Sequence, residues 1–231
     1  MTSAAAALRY WERRQEVASN NLANVSTDGF KGQKVFAQMV EGALPAAEQA
    51  TDFATGAIHS TGNPYDVALT GRNFLVVKTA NGERLARGGE LQVNEQGMLT
   101  DSAGNEVLGD GGPIRLTSKG KADLRSFALT GSGTVRVNDA DVAQLRIETI
   151  PANTSPQREG NGLFVPPVHR ERVDPDTQPV RQGALEESNV NAISEMVDMI
   201  SIQRAYTAVQ KAMTTIDAAR GTAVTELGRP V

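Results

Sequence analysis

The 231-residue chain has no cysteine. That excludes a disulfide framework and any thiolate metal site, so stability must come from packing or from assembly. Histidine is scarce. His59 and His169 are the two present, far apart in sequence, and neither has a ligand-like neighbour. Long apolar runs are missing too. No stretch approaches the roughly 20 residues a bilayer-spanning helix needs, so no membrane insertion is expected. The formal net charge of −4 is mild, and no block of like charge stands out. Nucleic-acid binding requires a concentrated basic face, so no nucleic-acid partner is expected. The alanine-rich opening lacks a basic n-region and a long apolar core, so no cleaved secretory signal is expected.

These scarcities bear on catalysis. A hydrolase of the triad type needs a nucleophile, a base and an orienting acid in register. Both histidines fall in segments without sustained periodicity, which reads them as solvated loop residues. The carboxylates are scattered, with no pair in an apolar setting, and most read as solvated. Gly131-Ser132-Gly133 and Gly160-Asn161-Gly162 read as turns, because no phosphate-loop or dinucleotide pattern surrounds them. Asn24-Val25-Ser26 and Asn153-Thr154-Ser155 match a glycosylation sequon, a pattern that arises easily by chance. The reading is a non-enzymatic protein with no cofactor, no metal and no small-molecule substrate.

What the chain does have is periodicity of two kinds. Leu8, Trp11, Gln15, Ala18, Leu22 and Val25 are spaced 3, 4, 3, 4, 3, one face of a helix close to a coiled-coil seam. Asn20, Asn21 and Asn24 crowd its end, and Ser26-Thr27-Asp28-Gly29 is a stop. The asparagines fit either a frayed, capped end or interhelical bonding that fixes register. Met199, Ile202, Tyr206, Val209, Met213 and Ile216 repeat the same spacing. Ser188, Asn189 and Asn191 are N-cap candidates, Glu195 favours the helix start, and Arg220-Gly221 reads as the C-terminal stop. A second apolar row, Ile193, Met196 and Ile200, widens this face. A helix with two apolar rows needs neighbours on two sides.

Between the helices, short apolar pieces alternate with turns. Asp66–Leu69, 74–78, 91–94, 106–108, 114–116, Thr134–Val137 and 142–150 read as strands. Asn81-Gly82 and Asn138-Asp139 read as hairpin turns. The predicted fold is α+β. N- and C-terminal helices pair as a coiled-coil-like bundle, and a mainly antiparallel β domain is inserted between them. The expected division is an N-terminal helix and motif over 1–36, a linker over 37–62, a β-rich domain over 63–165, a proline-rich return over 166–183, and the C-terminal helix over 184–231. Roughly 1.5–3 kcal/mol is gained for each large apolar side chain fully buried. Exposed helical rows therefore favour association, and head-to-tail contacts build rings or filaments. Packing of both helices on the β domain in a monomer remains the alternative.

Three blocks then carry a family resemblance. Asn20-Asn21-Leu22-Ala23-Asn24-Val25-Ser26-Thr27-Asp28-Gly29-Phe30-Lys31 resembles the A-N-N-L-A-N-x-x-T-x-G-[FY]-[KR] pattern of flagellar rod and hook proteins, with Ser19 where alanine is usual. Thr61-Gly62-Asn63-Pro64-Tyr65-Asp66-Val67-Ala68-Leu69 is similar to their T-G-N-P-L-D-V-A-I block. Gly183-Ala184-Leu185-Glu186-Glu187-Ser188-Asn189-Val190-Asn191 is similar to their G-x-L-E-x-S-N-V-N. Gln203-Arg204-Ala205-Tyr206 resembles the Q-R-A-Y of the distal branch. Leu85-Ala86-Arg87-Gly88-Gly89-Glu90-Leu91 departs from the usual Y-T-R-D-G-x-F, losing its aromatic and aspartate.

The resemblance implies a structural subunit of the bacterial flagellar basal-body rod, an axial protein in the periplasm. It implies export by the flagellar type III apparatus without signal cleavage. Its partners would be further copies and other rod and hook proteins. The inner-helix interface would comprise Leu8, Trp11, Ala18, Asn20, Asn21, Leu22, Asn24, Val25, Ile193, Met196, Met199, Ile200, Ile202, Tyr206, Val209, Met213 and Ile216. The motif residues are Thr27, Gly29, Phe30, Lys31, Gly62, Asn63, Pro64, Asp66, Leu185, Ser188, Asn189 and Asn191. The short length and altered hairpin favour the proximal rod type, while Gln203–Tyr206 and Asn24–Lys31 favour the distal. The balance falls on the proximal. The rival reading is a surface binding module or adhesin whose helices only oligomerise it.

Overall fold

The computed structural model describes residues 2–38, 46–117, 126–152 and 154–227. The chain is α+β, with a helix near each end and a mainly antiparallel β region between. It divides into two compact units. Met1–Val25, Gly32–Asp52 and Val190–Val231 form the first; Ser26–Lys31 and Phe53–Asn189 form the second.

The first unit holds helix α1 (Thr2–Ala23), strands β1 (Gln33–Gln38) and β2 (Ala46–Thr51), and helix α2 (Ala192–Leu227). α1 stops two residues before the predicted end, so Val25 lies in the following turn rather than on the helix. The Asn24 side-chain amide donates to the Asn20 carbonyl at 2.8 Å. It takes the acceptor that the next helical N–H would have used, while Asn24 N bonds back to Asn21 O at 3.1 Å.

α2 begins at Ala192, after the last of the three N-cap candidates, and Ala184–Glu186, expected with the C-terminal helix, form a strand instead. The Asn191 carboxamide accepts from Ser194 N at 3.0 Å, and the Asn191 carbonyl accepts from Glu195 N at 3.0 Å. It does not stop at Arg220-Gly221 but continues to Leu227. A glycine costs a helix only about 1 kcal/mol relative to alanine, and Ala218, Ala219 and Ala223 surround this one with the best helix former.

The span 37–62, predicted as a linker, carries structure. β1 and β2 pair antiparallel, with Val35 opposite Gln49 and Phe36 opposite Glu48. The alanine-rich β2 is a poor intrinsic strand, and its pairing with β1 holds it extended.

The second unit runs through β3 (Ile58–Ser60), β4 (Asp66–Leu69), β5 (Asn73–Thr79), β6 (Gly82–Ala86), β7 (Gly88–Val93), β8 (Leu99–Asp101), β9 (Glu106–Gly109) and β10 (Gly112–Pro113). It continues through β11 (Phe127–Leu129), β12 (Thr134–Val137), β13 (Ala140–Gln144), β14 (Ile147–Thr149), β15 (Arg158–Gly160), β16 (Leu163–Phe164), β17 (Glu171–Arg172), β18 (Val180–Gln182) and β19 (Ala184–Glu186). One large sheet has the order β15-β16-β6-β5-β9-β8-β7-β4-β18, with β10 on β9, β14 on β5 and β17 on β14. β11-β12-β13 form a second sheet, and β19 pairs with β3.

The run read as 142–150 is therefore broken into β13 and β14. In 114–116 only an isolated bridge from Arg115 to Met98 forms, though Ile114 and Leu116 are core residues. His59, expected in a linker, sits in β3, and 166–183 holds β17, a short 3-10 turn at Pro175–Thr177 and β18.

β5 shows why the unit holds together. Leu75 and Val77 enter the larger core, with Val67, Leu69, Leu91, Val93, Leu99 and Val107. Phe74 and Val76, alternating with them, enter a second core with Phe53, Leu85, Leu108, Ile150 and Phe164. A strand buried on both faces reads as a continuous apolar run. Phe53, Phe74 and Phe164 meet pairwise, with ring centroids 5.3–5.8 Å apart.

The two predicted hairpin turns differ in kind. Asn138 and Asp139 both have positive φ, 51° and 66°, as a primed turn needs. At Asn81-Gly82 only the glycine is positive, at 99°, because Thr79 pairs with Gly82 itself and the glycine falls after the turn.

Candidate functional site

In the first unit α1 and α2 run antiparallel. Asn21 lies beside Glu195, and the Tyr206 hydroxyl donates to Glu12 Oε1 at 3.2 Å. Val17, Ala18 and Asn21 are the buried face of α1, and Ile202 is buried on α2. The predicted α2 seam is the inward row: Met199, Tyr206, Val209 and Met213 are half-buried around Ile202, and Ile216 is exposed. Leu8, Trp11 and Leu22 are half-buried on α1, which places its seam close to the predicted one. The second row of α2 is different. Ile193, Met196, Val197 and Ile200 are 73%, 49%, 57% and 52% exposed, an apolar stripe left open among the described residues. Val197 belongs to it and was absent from the predicted row.

The three asparagines have separate roles. Asn21 is a buried clamp: its amide donates to Gln33 O at 2.9 Å and Glu195 Oε1 at 3.0 Å, and its carbonyl oxygen accepts from Gln33 N at 2.9 Å. It bonds α1 to α2 and also to β1. Asn24 caps α1, and Asn20 is exposed. A groove of about 270 Å³ beside this clamp is floored by Val17, Ala18 and Ile202 and rimmed by Arg14, Lys34, Glu195 and Asp198. Burial pushes the Glu195 carboxyl above its usual range. The Asp198 charge adds to the shift, while the Asn21 amide, Arg14 and Lys34 oppose it. The Trp11 ring meets Tyr10 edge-on at 5.2 Å and lies under the Arg14 guanidinium at 5.4 Å.

In the second unit the three motif blocks converge. Lys31, from the first block, is fully buried and donates to Glu186 Oε1 at 2.7 Å and to Ala54 O at 2.8 Å. Glu186 belongs to the third block. Its other oxygen accepts from Arg87 Nη2 at 2.8 Å and Nε at 3.1 Å. Arg87 also donates to the carbonyls of Gly71, Asn73 and Leu69 and lies 5.3 Å over the Phe74 ring.

Gly56 N completes the carboxylate shell at 2.9 Å. This position tolerates only glycine, since a Cβ there would lie 2.0 Å from Glu187 O. Gly29 N donates to the Glu186 carbonyl at 2.5 Å. Phe30 is buried under Arg158, whose guanidinium lies 4.2 Å over the ring.

The second block docks on the third. Thr61 N and Gly62 N donate to Gly183 O at 2.8 and 3.2 Å, and Gly183 N donates to Asp66 O at 2.8 Å. Asn63 ties its own turn, its amide donating to Asp66 Oδ1 at 2.8 Å. Asn189 donates to Ala54 O at 3.0 Å. Thr27 and Pro64 are exposed; Gly29, Asn63, Leu185, Ser188 and Asn189 are half-buried. Arg87 and Glu186 were missed as site residues because a carboxylate with no apolar pairing reads as solvated. The usable signal was Arg87 itself, a charge between two strands that the altered hairpin retains together with Gly89.

A four-residue ion cluster binds the 166–172 segment to the sheet. Arg146 bonds Glu83 at 2.8 Å and Glu148 at 2.7 Å, and Arg170 bonds the same two carboxylates at 3.0 and 2.8 Å. Hydrogen bonding from Arg146 holds the Glu83 carboxyl below its usual range, with the charges of both arginines adding to it. Among the described residues no group of three or more His, Asp or Glu is placed to hold a metal ion, and no helix is long and apolar enough to cross a membrane.

A buried, closely hydrogen-bonded junction, together with a helix carrying an exposed apolar stripe, is the layout of a structural subunit. Comparison with known proteins agrees. Residues 1–31 match the family model described as "Flagella basal body rod protein", and residues 181–226 match "Flagellar basal body rod FlgEFG protein C-terminal". A Caulobacter vibrioides protein named flagellar basal-body rod protein FlgF is 30% identical, over 94% of this chain and 93% of its own length. An Escherichia coli K12 protein of the same name is 33% identical over 88% of each chain. A Bacillus subtilis 168 protein named flagellar basal-body rod protein FlgG is 27% identical, over 91% of this chain and 92% of its own. The chain belongs to the flagellar basal-body rod protein family, a family of structural components and not an enzyme class.

Proposed function

We propose that this chain is a proximal-type rod subunit that polymerises through α2, completing its apolar face with helices of neighbouring subunits. The observation that carries this is the stripe Ile193–Met196–Val197–Ile200, which remains exposed after α1 has covered the opposite seam. An amphipathic helix with two apolar faces is stable only with a neighbour on each. The α1–α2 seam spacing supports coiled-coil-like pairing. Export through the flagellar type III apparatus and a periplasmic position in the rod follow from the family reading. The proximal assignment rests on relatives named FlgF at 30–33% identity beside those named FlgG at 27–31%.

The test is imaging of isolated basal bodies from cells whose only copy is this chain carrying Ile193→Asp and Ile200→Asp. The expected result is rods that end before this subunit, with the purified variant still folded. Full-length rods carrying the variant would overturn the reading. A closed trimer of the purified chain, in place of rod incorporation, would favour the binding-module alternative.

A further inference from the structure

The buried junction of the second unit joins segments far apart along the chain. In chain order, Lys31, the Ala54 carbonyl, the Gly56 amide, the carbonyls of Leu69, Gly71 and Asn73, and Arg87 all precede residue 88. The carboxylate they surround arrives only at residue 186, separated from Lys31 by 155 positions and from Arg87 by 99. Both cations are almost fully enclosed: the side chains of Lys31 and Arg87 are 0% and 2% exposed, and that of Glu186 is 1%. Taking two cations out of water without the carboxylate they share is strongly unfavourable, whereas with it the site is closely hydrogen-bonded. The same late segment supplies β19 as partner to β3, and its backbone accepts from Gly29 of the first motif block.

We infer that Glu186 is the closing element of the second unit: the strands before it stay open around Lys31 and Arg87 until residue 186 is available. A chain delivered N-terminus first thus keeps its second unit open until delivery is nearly complete. Its bearing on export rests on the function proposed above; the folding order itself does not.

The test reads the folding force on nascent chains of increasing length, each followed by a force-sensitive arrest peptide. With the natural sequence, the force signal of the second unit is expected only once Glu186 has left the ribosome. In the full chain with Lys31→Met, Arg87→Met and Glu186→Leu, the signal is expected to move to shorter lengths, because no charge then awaits a partner. With Glu186→Gln, the signal at the natural length is expected to be lost or strongly reduced. A natural-sequence signal before Glu186 emerges would overturn the inference. So would identical onsets for the natural and triple-variant chains, or a full-size signal from Glu186→Gln. If the triple variant fails to fold, the Glu186→Gln and natural-sequence arms still decide.

Discussion

Replacing Ile200 or Ile202 by serine separates the two faces of one helix. Ile202 is 1% exposed and faces Val17 and Ala18 within the subunit; Ile200, two residues away, is 52% exposed. Truncating a buried isoleucine costs about 2–5 kcal/mol, and a hydroxyl left in its place adds to that. Ile202→Ser is therefore expected to destabilise the first unit by at least about 3 kcal/mol. Ile200→Ser should leave the isolated subunit within about 0.5 kcal/mol of the natural chain.

Association reverses the ranking. Full burial of an isoleucine is worth about 1.5–3 kcal/mol, and half of Ile200 is already covered, so about 1 kcal/mol remains for a neighbour to supply. At 1.4 kcal/mol per tenfold, that is roughly five-fold weaker self-association. Changing Ile193, Met196, Val197 and Ile200 together removes about 4 kcal/mol, close to a thousand-fold if the sites add. Urea unfolding followed by circular dichroism gives the first quantity, and sedimentation across a concentration series gives the second. If Ile200→Ser unfolds as early as Ile202→Ser, the stripe is packed within the subunit and the reasoning fails. If the quadruple variant associates like the natural chain, the stripe is not the assembly surface.

Further outcomes follow from the same geometry. Asn191→Ala removes the α2 N-cap and should cost about 1 kcal/mol, seen as faster amide exchange in the first turns of α2. Gly56→Ala forces a methyl carbon into Glu187 O and should lower the unfolding midpoint of the second unit; an unchanged midpoint would mean that the 54–56 turn relaxes freely. Two carboxylates should contribute oppositely as acid is added. The folded-state pKa of Glu195 is raised, so the first unit binds its proton more readily folded than unfolded, and Glu195's penalty is relieved as pH falls from neutral through that raised value. The folded-state pKa of Glu83 is lowered, so its contribution to the second unit is present above the ordinary carboxylate pKa and is lost as pH falls through the lowered one. Glu195→Gln should flatten the first dependence in a pH series of unfolding midpoints, without touching the second.

The legible parts of this chain were those in which local spacing carries the information. The 3, 4, 3, 4, 3 row from Met199 places Ile202 at the centre of the inward face, because a helix presents every third or fourth residue to the same side. Asp66–Leu69 and Thr134–Val137 are strands with the predicted bounds, their apolar residues bracketed by glycine, proline and asparagine. β2 was not legible, because Ala46–Thr51 has no strand preference of its own and is extended only through its pairing with Gln33–Gln38. Nor was the stop of either helix. Asn24 ends α1 with a side-chain bond that composition does not foretell, and Gly221 stays inside α2.

By itself the sequence determined the inward row of α2, the alternation of strands and turns, and, through three motif blocks, the flagellar rod family; it offered three α2 caps, of which the structure uses Asn191. Tertiary structure alone decided why those blocks matter together. Lys31, Arg87 and Glu186 are ordinary charged residues to any reading of local pattern, since isolated charges belong in water. Only the closing of β3, β4, β7 and β19 around them removes that water, and a desolvated charge must then find its counterpart, however far away it lies along the chain.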